Sequence, residues 1–306
     1  MGGNVNNQAP GHESLTENGW CWNYLLIDGV ALPEAEKQLY QACESPEHLN
    51  LFAGPVYGEI ADVGPLLVRV SYDHPLVQRL IEDGFMEEWG CLLSSDLELP
   101  MLAEWFRQFI RVKHPTGVDL FLRFAEPAVA SVVFGEVGLF RRAESPVGEV
   151  LLPDSLEGNW RHIQLTPGQD YRYKEPLTLS EQDVESLSKV DRRSVLKAMV
   201  AHLDQFFPDW IADTERTAQI ANLSQLLDLA RQAEYLSERA LTQWTNVFGF
   251  LRPSRLPEDL PEPVQALLKA IPQASDAESA AREAAVLARD AVKPTINENS
   301  GTEQIT

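Results

Sequence analysis

Apolar residues follow two rhythms along the chain, and the change falls near residue 176. Before it, short apolar runs alternate with helical stripes. The segment Trp22–Asp28 carries Leu, Leu and Ile in succession, the pattern of a strand buried on both faces, and Gly29 breaks it. Leu32–Cys43 reads as a helix, with Ala35, Leu39 and Ala42 at helical spacing and Pro33 in the first turn. Leu66–Ser71 reads as a second strand. A helix after Asp73 or His74 has Pro75 at its start, Leu76, Val77, Leu80 and Ile81 on its apolar stripe, and Gly84 at its end. Cys91–Ser94 is a short strand. In the next helix Leu102, Trp105, Phe106 and Phe109 fall at i, i+3, i+4 and i+7. Val118–Phe124 alternates, with Val118, Leu120, Leu122 and Phe124 on one face and Asp119, Phe121 and Arg123 on the other. Pro127 opens a short helix. Residues 135–176 are less regular, with short strands expected at Trp160–Leu165 and Tyr171–Tyr173.

After Pro176 the period is helical. Ser180 caps a first helix, with Leu179 and Val184 placed as a hydrophobic staple, and Leu196, Met199, Val200, Leu203 and Phe207 form its stripe up to Pro208. Leu223, Leu226, Leu227 and Ala230 mark a second helix. Ser237 caps a third, which carries Leu241, Trp244 and Phe248 and stops at Gly249. Four prolines in 251–263 make a stiff linker. Ser275 with Glu278 reads as a capping box for an Ala-rich helix, Asp276–Val292, with little to bury beyond Ala, Val286 and Leu287.

The expected fold is therefore α/β: a mixed N-terminal α/β lobe with a partly parallel sheet, followed by an all-helical C-terminal lobe. The expected divisions are a disordered N-terminus at 1–20, the α/β lobe at 21–176, and the helical lobe at 177–250. The linker, Ala-rich helix and disordered tail fill 251–306.

Charge narrows the partners. The 306 residues hold 46 acids against 25 bases, a formal charge of −21. Nucleic-acid binders need a surplus of Lys and Arg to displace counterions from phosphates, and an anionic membrane repels such a chain, so neither is an expected partner. The acidity is uneven: residues 1–100 carry 3 bases and 16 acids, while 101–176 carry 9 and 10 and include the pair Arg141–Arg142. A solvated acidic face explains this, and steering of a basic partner is the alternative. Hydrophobic residues make up 44 %, ordinary for a globular chain, so general disorder is excluded. The longest apolar run, Ala128–Phe134, is interrupted by Ser131 and falls far short of the ~20 residues of a membrane helix. The Asn- and Gly-rich start lacks the basic and apolar regions of a signal peptide. Three widely spaced cysteines fit a reducing cytoplasm.

Catalytic patterns are scarce. None of the six histidines has a partner at metal-ligand spacing, and the chain carries no phosphate loop and no nucleophile elbow; no cofactor is expected. Cys91 with His114 is conceivable as nucleophile and base, but a cysteine in an apolar strand is inert core. The Glu87–Glu88 pair does not stand out in so acidic a chain. Arg123, in an apolar strand and followed by Glu126 and Pro127, needs a partner. An ion pair with Glu126 that fixes the strand-to-helix turn is the favoured reading, with ligand binding as the alternative. If that pair is buried, Arg123→Ala should cost roughly 3–5 kcal/mol. Among the seven tryptophans, Trp105 and Trp244 lie on core stripes, while Trp89, Trp160 and Trp210 sit at element edges, where an exposed indole would anchor an interface.

The pieces occur in an order that resembles a known family. Tyr24-Leu-Leu-Ile-Asp28-Gly29 is followed by Leu51-Phe52-Ala53-Gly54, then Gly64-Pro65-Leu-Leu-Val-Arg69, then Trp89-Gly90-Cys91-Leu-Leu-Ser94-Ser95. The Leu102–Phe109 helix and Leu120-Phe121-Leu122-Arg123-Phe124-Ala125-Glu126-Pro127 complete the series. This resembles the effector adaptor/chaperone family of the type VI secretion system, first catalogued as a domain of unknown function. The likeness is strong over about residues 22–140 and looser over 177–250, through Pro176-Leu-Thr-Leu-Ser-Glu181 and Ala233–Ala240. Members often have an aromatic residue and Asp before the proline; here Ala125 and Glu126 stand there. The resemblance implies a cytoplasmic, non-enzymatic protein of a Gram-negative bacterium. Its implied partners are a secreted effector toxin and the tip spike protein, on which it helps load the effector without being fired itself. Two other classes stay open: an immunity-type protein that neutralises a toxin, and an enzyme with a site assembled from distant residues.

Overall fold

Six strands form one sheet in the order β2-β3-β1-β4-β7-β8. They are β1 (Tyr24–Ile27), β2 (His48–Asn50), β3 (Leu66–Arg69), β4 (Gly90–Ser95), β7 (Val147–Asp154) and β8 (Asn159–Gln164). A separate hairpin pairs β5 (Arg111–Lys113) with β6 (Asp119–Phe121). The computed structural model describes residues 20–135, 138–142, 145–168, 177–211, 215–273 and 275–292, with residues 83, 141 and 142 by backbone alone. The expected strand at Tyr171–Tyr173, the side chains of Arg141–Arg142, the expected disordered tail and all but Trp20 of the expected disordered N-terminus lie outside the described residues.

Every neighbouring pair of named strands is antiparallel, which corrects the expectation of a partly parallel sheet. The two-sided burial that suggested parallel strands is real. Tyr24 and Leu26 enter one core, with Leu67, Cys91, Leu93 and Val150, while Leu25 and Ile27 enter the other, with Leu66, Val68, Leu92 and Leu151. Burial on both faces requires helices on both faces, but it does not set strand direction. Here the helical crossovers join strands two places apart. The link through α1 (Ala35–Ala42) carries the chain from β1 past β3 to β2. The link through α2 (Pro75–Arg79), a wider turn of helix at Leu80–Gly84 and α3 (Phe85–Glu87) carries it from β3 past β1 to β4. Interleaving the two crossovers places an antiparallel strand between each parallel pair.

One face is covered by α1, α2 and the wider turn after it, through Ala35, Leu39, Leu76, Val77 and Leu80. The other carries α4 (Leu99–Arg107), α5 (Pro127–Val133) and residues of α6 (Leu139–Arg142). An aromatic cluster fills this second core. The Phe140 ring centre lies 4.7 Å from those of Phe109 and Phe134, 5.0 Å from Trp105 and 5.8 Å from Phe124. Leu179 and Val190 close it from the chain that follows.

Three local expectations change. Gly84 does not end the helix, because the chain winds on into α3. Val118–Phe124 is not one half-buried strand: β6 spans only Asp119–Phe121, all exposed, and the buried Leu122 and Phe124 follow it. Conversely β7, eight residues long, lies in the stretch with the weakest pattern. Its Gly148 and Pro153 dilute the strand signal, and Pro153 sits opposite Trp160 near the turn into β8.

The chain divides into two compact units between Arg192 and Arg193, within α7 (Glu181–Phe206). The start of α7 is a reciprocal cap. Ser180 Oγ accepts from the Asp183 N–H at 3.1 Å, and Asp183 Oδ2 accepts from the Ser180 N–H at 2.6 Å.

The second unit is helical. It holds the end of α7, α8 (Arg216–Gln232), α9 (Glu238–Leu251), α10 (Glu262–Lys269) and α11 (Ala277–Ala291). Ser237 caps α9 as expected, accepting from the Ala240 N–H at 3.2 Å. Gly249 does not end α9: it lies inside, where a Cβ would fall 2.5 Å from the Phe207 ring. Ser275 and Glu278 do not form a capping box, since Asp276 holds the cap position and Glu278 accepts instead from Ser237 Oγ at 3.0 Å. The Ala-rich helix buries its alanines, Ala277, Ala281, Ala284, Ala285 and Ala288, while Val286 is exposed, and α11 packs along α9.

Candidate functional site

Arg123 lies between β6 and α5, half-exposed, and it bridges two carboxylates. Its Nη1 is 3.2 Å from Glu126 Oε2, as the spacing predicts, and its Nη2 is 2.5 Å from Asp28 Oδ2. Asp28 is the residue that sequence reasoning missed. It follows β1 directly, its side chain is only 4 % exposed, and its other oxygen accepts from the Val30 N–H at 3.1 Å. Main-chain bonds fix the turn: the Asp28 N–H donates to the Trp89 carbonyl and the Leu32 N–H to the Asp28 carbonyl, both at 2.9 Å. Gly29 is required here, because a Cβ would fall 2.4 Å from the Gly64 carbonyl oxygen. Arg123 thus ties the loop before α5 to the end of the central strand, while Pro127 takes the first helical position of α5 and is itself buried. The charges are spent on holding loops together.

The tryptophans named as interface candidates are core residues. Trp89 is buried in the α1–α2 side of the sheet, with the Arg79 guanidinium 5.9 Å from its ring centre. Trp160 is buried too, its ring centre 5.5 Å from that of Phe85; with Asp154, Glu157, Asn159 and Arg161 it lines a cavity of about 480 Å³. Trp210 is buried in the second unit. Its indole N–H donates to Asp204 Oδ1 at 2.8 Å, and Arg216 grips the same carboxylate with bonds of 2.9 and 2.7 Å. Burial disfavours ionised Asp204, but the hydrogen bonds from Arg216 and Trp210 outweigh it and hold the carboxyl below the usual range. None of the three indoles is exposed, so none offers the surface that an interface anchor needs.

The thiols have structural surroundings. Cys91 is fully buried, and burial first, then the Asp28 charge, pushes its thiol pKa up. His114 turns instead to Thr116 Oγ1 at 2.8 Å. Cys43 Sγ lies 3.4 Å from His74 Nε2, but His74 Nδ1 accepts the Leu76 N–H at 3.3 Å as the cap of α2. Burial lowers the His74 pKa against the pull of Asp73. A neutral imidazole with Nδ1 so used carries its proton on Nε2 and offers Cys43 a donor, not a base. Glu88, set aside in the sequence with Glu87, has a structural role. Buried, with a positive φ of 55°, it accepts from the Ser155 N–H at 2.7 Å and Oγ at 2.6 Å, pinning the end of β7. Among the described residues no group of three His, Cys, Asp or Glu could hold a metal ion, and no helix is long and apolar enough to cross a membrane.

Such a molecule is a two-unit scaffold, an antiparallel α/β unit and a helical unit, in which ion pairs lock loops. Residues 23–140 match the family described as Domain of unknown function (DUF4123), and the chain carries that domain over the stretch where the resemblance was expected. It is also similar to "Accessory protein VasW" of Vibrio cholerae serotype O1 (strain ATCC 39315 / El Tor Inaba N16961), 27 % identical over 245 residues, covering 74 % of this chain and 75 % of that protein. No solved structure matches.

Proposed function

We propose that this protein is an adaptor of the type VI secretion system: it binds a toxic effector in the cytoplasm and helps load it onto the tip spike, without catalysing a reaction. The observation that carries this reading is the reach of the similarity to an accessory protein. At 74 % of the chain it extends past Arg192, so it takes in part of the helical unit as well as the DUF4123 domain. An adaptor has to hold two proteins, and two units with separate cores supply two independent faces. The net charge of −21 favours protein partners over nucleic acid.

Deletion of the gene in its own host tests the reading. The effector should vanish from the secreted fraction while the spike is still secreted, and a plasmid copy should restore it. Full effector secretion without the chain would contradict the reading. So would protection of a toxin-expressing cell by this chain alone, which is the behaviour of an immunity protein.

A further inference from the structure

The β5–β6 hairpin stands apart from the main sheet and carries apolar residues that the core does not use. Val118 is 59 % exposed and Phe121 53 %, and Val56, beside Tyr57, is 72 % exposed. Phe121 lies directly across the hairpin from Arg111, and its ring centre is 5.8 Å from that of Tyr57. The Arg111 guanidinium is held by both rings, 5.1 Å from the Phe121 centre and 5.6 Å from the Tyr57 centre. It makes no ion pair among the described residues. The basic residues near it in sequence do: Arg107 with Glu104, Lys113 with Asp119, and Arg123 with Asp28 and Glu126. In a chain with 46 acids to 25 bases, an exposed arginine held by two rings and not by a carboxylate has kept its N–H donors for something else.

We propose that Arg111, Tyr57 and Phe121 form a docking surface for a segment of a partner protein that presents a carboxylate beside an apolar side chain. The proposal rests on the adaptor reading and deepens it by naming the face. Clustered aromatic residues with an arginine are the composition of interface hot spots. Their exposure here is beyond what the fold needs, since Val112 of the same hairpin supplies the buried contact. Charge complementarity sets the occupant. The guanidinium, which has no ion pair among the described residues, takes a carboxylate bidentately, and Phe121 takes the adjoining apolar group. The 16 acids of residues 1–100 repel a strongly acidic partner, so the segment is apolar with an isolated Asp or Glu.

The test uses the full-length chain and its own effector and spike proteins. Arg111→Glu and Phe121→Ser, both at exposed positions, should leave the melting temperature unchanged and weaken binding of one of the two partners about tenfold or more by calorimetry. Arg111→Lys should bind with intermediate affinity, because an ammonium keeps the charge but loses the bidentate fork. Unchanged affinity of the folded variants for both partners overturns the surface while the adaptor reading stands. Loss of self-association by sedimentation, with partner affinities intact, overturns it in favour of a second copy of the chain. If the wild-type chain binds neither partner, the adaptor reading fails and the surface falls with it.

Discussion

Both units bury large rings, Trp244 and Phe248 in the second among them, but among the described residues the second adds a seam that the first lacks. The first packs large rings: Phe140 touches five aromatic neighbours beneath a sheet buried on both faces. The second packs a seam of small residues, the alanines of α11 against α9. Large apolar side chains remove much area from water each, so deleting one opens a cavity. Alanines remove little each but let helix backbones approach closely, so enlarging one forces the helices apart. The aromatic core of the first unit should therefore be sensitive to truncation, and the α9–α11 seam to addition.

Phe140→Ala should show the largest effect, a loss of about 3–5 kcal/mol in denaturant unfolding. A loss below 1 kcal/mol would break the picture of one shared aromatic core. Arg123→Ala should cost about 1–3 kcal/mol, because it leaves the buried Asp28 carboxylate with the Val30 N–H in place of a cation. That is less than the sequence suggested, since Arg123 itself is half in water. Asp28→Ala together with Arg123→Ala should cost clearly less than the two single losses added, and strict additivity would mean that the pair is not coupled.

In the second unit Ala284→Leu should cost about 1–3 kcal/mol, while Ala284→Gly should cost only about 1 kcal/mol, the helix propensity difference. Equal tolerance of both would show that α11 does not lie tightly on α9. The smallest effect concerns acid. The folded-state pKa of Asp204 is lowered, so its contribution is present above the unfolded value and is lost as pH falls through the folded one. Melting curves between pH 5 and pH 2 should show Asp204→Asn closing most of its gap to the wild type at the acid end. Both partners are partly exposed, so that gap is at most about 1 kcal/mol.

What could be read from the sequence follows the same division. Elements with strong punctuation were legible: His74-Pro75, Ser180 and Ser237 all mark helix starts that the structure contains. Strand direction was not, because the Leu-Leu-Ile run of β1 reports burial and nothing about which strand lands beside it. Arg123 announced its need for a partner and its spacing gave Glu126. Asp28, 95 positions away, was hidden behind the look of an ordinary turn residue before Gly29. Alanines gave no sign of the α9–α11 seam, since a small apolar residue on a helix is neutral in any pattern. The alternation of Val118–Phe124 misled most usefully: it described a core strand, and the structure puts half of that apolar surface in water.

The adaptor account depends on one chain holding two proteins at once. The direct measurement is light scattering on the full chain mixed with its effector and its spike protein, after size-exclusion chromatography. The account predicts a single peak whose mass contains all three, with the effector peak lost from the spike when the chain is left out. A peak containing only chain and effector, with the spike eluting alone and the toxin inactivated, would contradict it.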